Sequence, residues 1–163
     1  MRLQPTYAVA VLLSLMPLAA KAELPGEFEP RGEAAFRFLG MKLYDARLYT
    51  ENGAAFDWKR DFALEITYAQ RFSRDALVKS TMDEIARLGR DAPDAEVWKS
   101  CFRSVSKGHQ FLAVTQGANR LDFILNGRKV CSLNYSDIAR SFMEIFLGEN
   151  TRSASFTRAL RGG

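Results

Sequence analysis

The chain has 163 residues, of which 47% are apolar, and 23 Lys and Arg stand against 19 Asp and Glu. This small basic excess, without a basic stripe carrying interleaved aromatics, argues against nucleic acid as a partner. One His and two Cys at unrelated spacings supply no ligand cluster, so we expect no metal site, and no motif indicates a cofactor.

The first 22 residues predict a cleaved secretion signal. Arg2 precedes the apolar run YAVAVLLSLMPLAA, and residues 20–22 offer the small-x-small pattern of a cleavage site that would leave Glu23 first. The alternative is an uncleaved N-terminal anchor, although the run is short for one. We expect export to the periplasm, one domain over residues 23–163, and no integral membrane segment once the signal is removed.

The first half of this domain shows strand patterns. Residues 27–32 contain Pro and Gly and predict an irregular segment at the start of the domain. Residues 36–50 predict one or two strands with a bulge at Gly40. The segment FALEITYA at 62–69 alternates, which is typical of a half-buried antiparallel strand. Its core-facing residues would be Phe62, Leu64, Ile66 and Tyr68.

Two helices are predicted next. Ser73 is a suitable N-cap for the first, Gly89 would end it, and the apolar residues between them follow helical spacing. These residues are Leu77, Val78, Met82, Ile85 and Leu88. The second helix carries its apolar residues at i, i+1, i+4 and i+5, namely Val97, Trp98, Cys101 and Phe102.

Three strands and two short helices complete the pattern. The strands are predicted at 109–116, 120–125 and 128–133. Asn126-Gly127 between the last two is a strong signal for a type I′ hairpin. Ser136 and Ser153 are predicted N-caps of the last two helices, and Gly148 would end the first of these. Strands with helices gathered between them predict an α+β fold, an antiparallel sheet with helices packed on one face.

Cys101 and Cys131 would meet an oxidising compartment after export. A disulfide forms there if their Cα atoms lie within about 7 Å. The alternative is that both are small buried apolar residues, which is how free Cys usually behaves. The sequence leaves the two options open.

Two segments of the chain resemble the chalcone isomerase-like family. They are GMKLYDARLYTE at 40–51 and the run from KVCSLN into SDIARSFMEIFLGE near the C-terminus. The resemblance covers roughly residues 32–162. It implies the same fold class, an open-faced sandwich with a cleft between the sheet and its layer of helices.

The resemblance also implies where a site would lie. The plant enzyme closes a ring with an arginine, two threonines, a tyrosine and an asparagine. The corresponding residues here are Arg37, Tyr44, Phe72, Lys79 and Ile145. Four of the five have changed type, and removing even one oxyanion donor typically costs about 100-fold in rate. We therefore predict these five as ligand-binding residues and expect no catalytic residue, with isomerase activity as the alternative in which Tyr44 or Tyr68 replaces a lost donor.

Non-enzymatic relatives in this family bind fatty acids in the same cleft, which implies a hydrophobic small molecule as partner. An acyl chain would fit a cavity walled by apolar residues, and Arg37 would pair with the carboxylate. The predicted wall residues are Phe62, Ile66, Met82, Phe142 and Phe146. The alternative is that these side chains meet and fill the core.

A third hypothesis is a partner-binding protein. If Val97 and Cys101 pack inward, Trp98 would lie at the margin of the second helix as an interface anchor. The sequence leaves the oligomeric state open. We expect His109 to be a strand-edge side chain satisfied by solvent or backbone, and Glu144 to be solvated.

Overall fold

The computed structural model describes residue 24 and residues 27–163. The predicted secretion signal lies outside these residues. Every strand and helix given below falls between Phe28 and Leu160. Among the described residues, no helix is both long and apolar enough to cross a bilayer.

Six antiparallel strands form one sheet, in which each strand pairs with the next along the chain. The strands are β1 (Phe28–Phe38), β2 (Met41–Glu51), β3 (Phe62–Tyr68), β4 (Gln110–Thr115), β5 (Arg120–Leu125) and β6 (Arg128–Asn134). Two helices lie in the connection between β3 and β4. The sheet nevertheless keeps a simple meander order, because β3 and β4 still pair directly.

The β1–β2 hairpin differs from the prediction in two ways. β1 begins at Phe28, so the expected irregular entry already belongs to the sheet. A register shift between Pro30 and Gly32 is how the strand accommodates both residues. Leu39 and Gly40 form a two-residue turn with φ of 48° and 80°, so Gly40 is a turn residue of type I′ geometry and not a bulge.

The later strand predictions are confirmed. Asn126 and Gly127 have φ of 48° and 79°, as a type I′ turn requires. The alternation of β3 also holds, and its buried core-facing residues are Phe62, Leu64, Ile66 and Tyr68.

Four helices follow the predicted order. They are α1 (Arg74–Arg87), α2 (Ala95–Cys101), α3 (Ile138–Leu147) and α4 (Ala154–Leu160). The Ser73 side chain accepts from the Ala76 N–H, and Ser153 caps α4 in the same way. The predicted cap at Ser136 is wrong, because the N-cap of α3 is Asp137, in a left-handed conformation and without a side-chain cap. The Asp137 N–H donates instead to the Asn119 side chain at 2.8 Å, which ties this helix start to the turn between β4 and β5.

The helices pack on one face of the sheet and close the main core there. Aromatic side chains fill its centre, where the rings of Trp98, Phe102, Phe123 and Phe142 lie within 6.4 Å of one another. On the opposite face, the described residues form a small apolar cluster of Ala63, Leu112 and Val114, against which Leu24, Phe28, Tyr49 and Ile124 pack. The α+β class predicted from the sequence is therefore confirmed.

Helix α2 buries Cys101, as the partner-binding hypothesis needs, but it turns Trp98 to the core in place of Val97. Trp98 is fully buried and Cys101 is 2% exposed, whereas Val97 is 42% exposed. Trp98 therefore belongs to the packed core and offers no anchor at the surface.

A disulfide joins Cys101 at the end of α2 to Cys131 in β6, with the two Cα atoms 5.2 Å apart. The sequence alone does not decide between this disulfide and two free thiols. The bond fixes α2 on the C-terminal edge of the sheet, at a sequence separation of 30 residues.

We expect the Cys101→Ala, Cys131→Ala variant to lose about 2 to 4 kcal/mol of unfolding free energy, because the unfolded chain is no longer restricted by the cross-link. Urea unfolding of the oxidised protein and the variant measures the difference. Dithiothreitol is the control: it destabilises the wild type and leaves the variant unchanged. Equal stability of the oxidised wild type and the variant would contradict the expectation.

Candidate functional site

A cavity of about 580 Å³ lies between the inner face of β1–β3 and helices α1, α3 and α4. Its size falls within the usual range of small-molecule sites. The apolar part of its lining consists of Phe36, Phe38, Leu43, Ile66, Phe72, Ala76, Leu77, Phe102, Phe111, Phe142, Ile145, Phe146 and Phe156.

The aromatic rings of the cavity walls pack against one another. Tyr44 stacks on Phe36 at 5.1 Å and meets the edges of Phe146 and Phe156 at 6.3 and 6.1 Å. Phe142 and Phe146 lie one turn apart on α3 and face the sheet together. The cavity therefore has a preformed aromatic wall.

Two tyrosine hydroxyls belong to this cavity. Tyr44 of β2 and Tyr68 of β3 are direct cross-strand neighbours and line it from the same face of the sheet. Burial, followed by the nearby Tyr68 and Glu84, raises the pKa of Tyr44, and burial likewise raises the pKa of Tyr68. Both groups therefore stay protonated at neutral pH, and each can donate a hydrogen bond to an oxygen in the cavity.

A charged group closes one side of the cavity. The Glu84 carboxylate of α1, nearly buried, accepts hydrogen bonds from Arg87 at 2.8 Å and from Arg152 before α4. Burial acts to raise the pKa of Glu84, but the hydrogen bonds from the two arginines outweigh it and hold the pKa below its ordinary value. Arg152 and Glu84 both line the cavity and Arg87 does not, so this ion pair brings one cation and one anion to that side of the cavity.

Glu84 also makes the stability of the protein depend on pH. Because its pKa is lowered on folding, its contribution is present above the ordinary pKa of about 4.3 and is lost as the pH falls through the lower folded value. We expect Glu84→Gln to cost about 2 kcal/mol at pH 7, and this difference from the wild type to shrink below about pH 4. Urea unfolding across this pH range measures it.

Asp83→Asn is the matched control, because the Asp83 carboxylate is next to Glu84 in the sequence but is exposed and pairs with the exposed Lys79 at 2.6 Å. Such an exposed pair contributes little. If the unfolding free energies of wild type and Glu84→Gln change in parallel with pH over the acid range, Glu84 is not the cause of the pH dependence.

Comparison with known proteins identifies the architecture. No protein-family model matches the chain, and no curated protein matches its sequence. A solved structure, a fatty-acid binding protein of Arabidopsis thaliana, matches with a TM-score of 0.67 at 12% identity, over 90% of this chain and 94% of that one. The fold is chalcone isomerase-like.

Within this chalcone isomerase-like fold, four of the five predicted site residues come together. Tyr44, Phe72, Lys79 and Ile145 all line the cavity. Arg37 does not. It is exposed on the other side of β1, where its guanidinium lies 3.5 Å from the Gly40 carbonyl at the hairpin turn. The ligand-binding roles of these residues remain predictions.

Three of the five predicted wall residues, Ile66, Phe142 and Phe146, line the cavity. Phe62 packs instead against Phe56 at 5.0 Å, and Met82 is a partly buried neighbour of the main core outside the cavity lining. The largest share of the remaining lining comes from α1, and β1, β2 and α4 add Phe36, Phe38, Leu43 and Phe156, none of which the predicted wall included.

The predicted ligand-binding residues did not include Tyr68, Glu84 or Arg152, and Tyr68 was named only as a replacement donor in the isomerase alternative. Tyr68 could have been found, since the alternation of β3 places it on the core face beside Tyr44. The Arg152–Glu84 contact joins residues 68 apart, and no local pattern indicates it.

Two other polar side chains differ from their predictions. Glu144 is largely buried and pairs with Arg90 at 2.5 Å and Arg140 at 3.2 Å, so it is a structural ion pair and not a solvated side chain. The Nδ1 atom of His109 is buried without a hydrogen-bond partner among the described residues. Neither residue lines the cavity.

Proposed function

We propose that this protein binds a fatty acid, or a similar small molecule with an acyl chain and a carboxylate, and does not transform it. The observation that carries the proposal is a cavity of about 580 Å³ with an aromatic wall and two neighbouring tyrosine hydroxyls. An apolar cavity with a few converging polar groups is the usual form of such a site.

The carboxylate is assigned to the tyrosine side of the cavity. Tyr44 and Tyr68 each supply one donor, and a carboxylate can accept from both. The Arg152 guanidinium, which lines the cavity beside Glu84, is assigned as the cation for the ligand carboxylate. Arg152 thus takes the role that the sequence had given to Arg37, because Arg152 lines the cavity and Arg37 does not.

The acyl chain is assigned to the aromatic part of the cavity. Burial of each methylene contributes about 0.8 kcal/mol, which corresponds to about fourfold in affinity. Long-chain acids are therefore expected to bind more tightly than short ones until the cavity is full. The structural match to a protein named for fatty-acid binding supports this ligand class.

The alternative functions have less support. Isomerase chemistry would need donors where the chain has Phe72 and Ile145, although both tyrosine hydroxyls would be available to it. The partner-binding hypothesis loses its motivation because Trp98 is fully buried.

We also propose that the protein works in the periplasm after removal of residues 1–22. The apolar run and the small-x-small pattern of the sequence support export. The disulfide between Cys101 and Cys131 supports an oxidising compartment.

Titration calorimetry with saturated fatty acids of increasing length tests the binding proposal. Saturable one-to-one binding that tightens with chain length is the expected result. Heats no larger than those of dilution at every length would contradict it.

A further inference from the structure

The tip of the β1–β2 hairpin is the most exposed apolar part of the described chain. Phe38, Leu39 and Met41 are 55%, 90% and 53% exposed. Elsewhere among the described residues, only Val97 and Tyr135 are exposed large apolar side chains, and they lie singly on other elements. Contiguous exposed apolar residues usually mark a contact surface.

The tip has the shape of a narrow projection. Leu39 and Gly40 form the two-residue turn, and Phe38 and Met41 pair directly behind it. A turn of four residues offers far less area than the roughly 800 Å² per partner that stable protein interfaces bury. Its shape suits insertion into a soft surface better than docking against a rigid partner.

Exposed basic residues lie near the base of this tip. Arg37 directly precedes Phe38 in β1. Arg71 directly follows Gln70, whose side chain donates a hydrogen bond to the Lys42 carbonyl at 3.2 Å. Neither arginine forms a salt bridge with an acidic side chain among the described residues, and both are exposed. Lys42 is also present, although it pairs with Asp45 at 2.7 Å. Exposed cations next to an apolar tip match the negative charge of anionic lipid headgroups.

The tip is continuous with the cavity. Phe38 is exposed at the tip and also lines the cavity, together with Phe36 and Leu43 from the same hairpin. An apolar molecule that leaves a surface at the tip would therefore meet the cavity wall directly.

We propose that the β1–β2 tip inserts Leu39, Met41 and the exposed part of Phe38 into the interfacial region of an anionic lipid bilayer. Arg37 and Arg71 then lie at the headgroups, as basic residues do around interfacial apolar anchors. This function goes beyond ligand binding in the cavity, and it is tested without any fatty acid.

The experiment measures cosedimentation of the protein with vesicles of phosphatidylcholine and phosphatidylglycerol. The chain from Glu23 to Gly163 is used, because all strands and helices lie between Phe28 and Leu160 and the apolar run at the N-terminus would itself bind lipid. The tip variant is Leu39→Asn, Met41→Ser. Asparagine tolerates the left-handed backbone at position 39, and neither residue lines the cavity. Val97→Ser is the control, since it removes an exposed apolar side chain from α2.

We expect the wild type to bind these vesicles, more weakly at high salt, and the tip variant to lose at least about tenfold in partition coefficient. Val97→Ser should bind as the wild type does. The proposal is overturned if the wild type does not sediment with vesicles or if the tip variant binds equally well. It is also overturned if sedimentation velocity without lipid shows a dimer that the tip variant abolishes, because the tip would then contact a second copy. None of these outcomes changes the fatty-acid titration, so the two proposals fail separately.

Discussion

The Tyr44→Phe, Tyr68→Phe variant is expected to bind fatty acids with about 3 to 6 kcal/mol less free energy than the wild type, because each lost hydrogen bond to a charged group costs about 1.5 to 3 kcal/mol. The rings stay in place, so the stacking of Tyr44 on Phe36 and the cavity volume are retained. Since only the headgroup contacts change, the affinity ratio of wild type to variant should be the same for acids of every chain length. Titration calorimetry over the chain-length series measures it.

The control for this variant is Tyr49→Phe. Tyr49 is on β2 as well, but it faces the opposite side of the sheet and packs with the small outer cluster. The Tyr49→Phe substitution should leave the affinity for fatty acids unchanged. Methyl esters provide a second control, because they lack the charge and should lose much less on removal of the hydroxyls. An unchanged affinity of the double variant for the acids would place the carboxylate elsewhere.

The Leu77→Trp, Ile145→Trp variant is expected to lose long-chain binding and to keep short-chain binding. Both residues line the cavity, from α1 and α3, which pack together. Two indole rings take up space that the acyl chain would fill. If they exclude about four methylenes, at about 0.8 kcal/mol each, the affinity for a long acid falls more than 100-fold. The loss should thus grow with chain length, unlike the uniform loss on removal of the tyrosine hydroxyls.

Val97→Trp is the matched control, because it adds the same ring on the exposed side of α2. Thermal unfolding of the three proteins shows whether the cavity variant is folded. A folded variant that binds long acids as the wild type does would mean that the chain lies outside this cavity.

The fold was predictable from the sequence where local chemistry determines it. The alternation of β3, the cap of α1 at Ser73 and the Asn126-Gly127 turn each follow from single-segment rules. The first hairpin was misjudged because Leu39 occupies a left-handed position that usually takes Asn or Gly. Helix α2 was misjudged because apolar residues at i, i+1, i+4 and i+5 leave two orientations open. Cys101 faces the core in both, and the packing of Trp98 decides between them.

The site was predictable only in part. The family resemblance pointed to Tyr44, Phe72, Lys79 and Ile145, which the structure brings to one cavity. It gave no sign of the contact that holds Arg152 on Glu84, although it covers both residues. That contact depends on how the segment before α4 crosses α1, which is a property of the assembled fold.

Native mass spectrometry of the protein purified without detergent tests the central claim most directly. The account predicts an adduct of one fatty acid per chain, identified after solvent extraction, that is absent from the Leu77→Trp, Ile145→Trp variant. A bare protein mass that stays bare after incubation with long-chain fatty acids, or an adduct retained equally by the blocked variant, would contradict it.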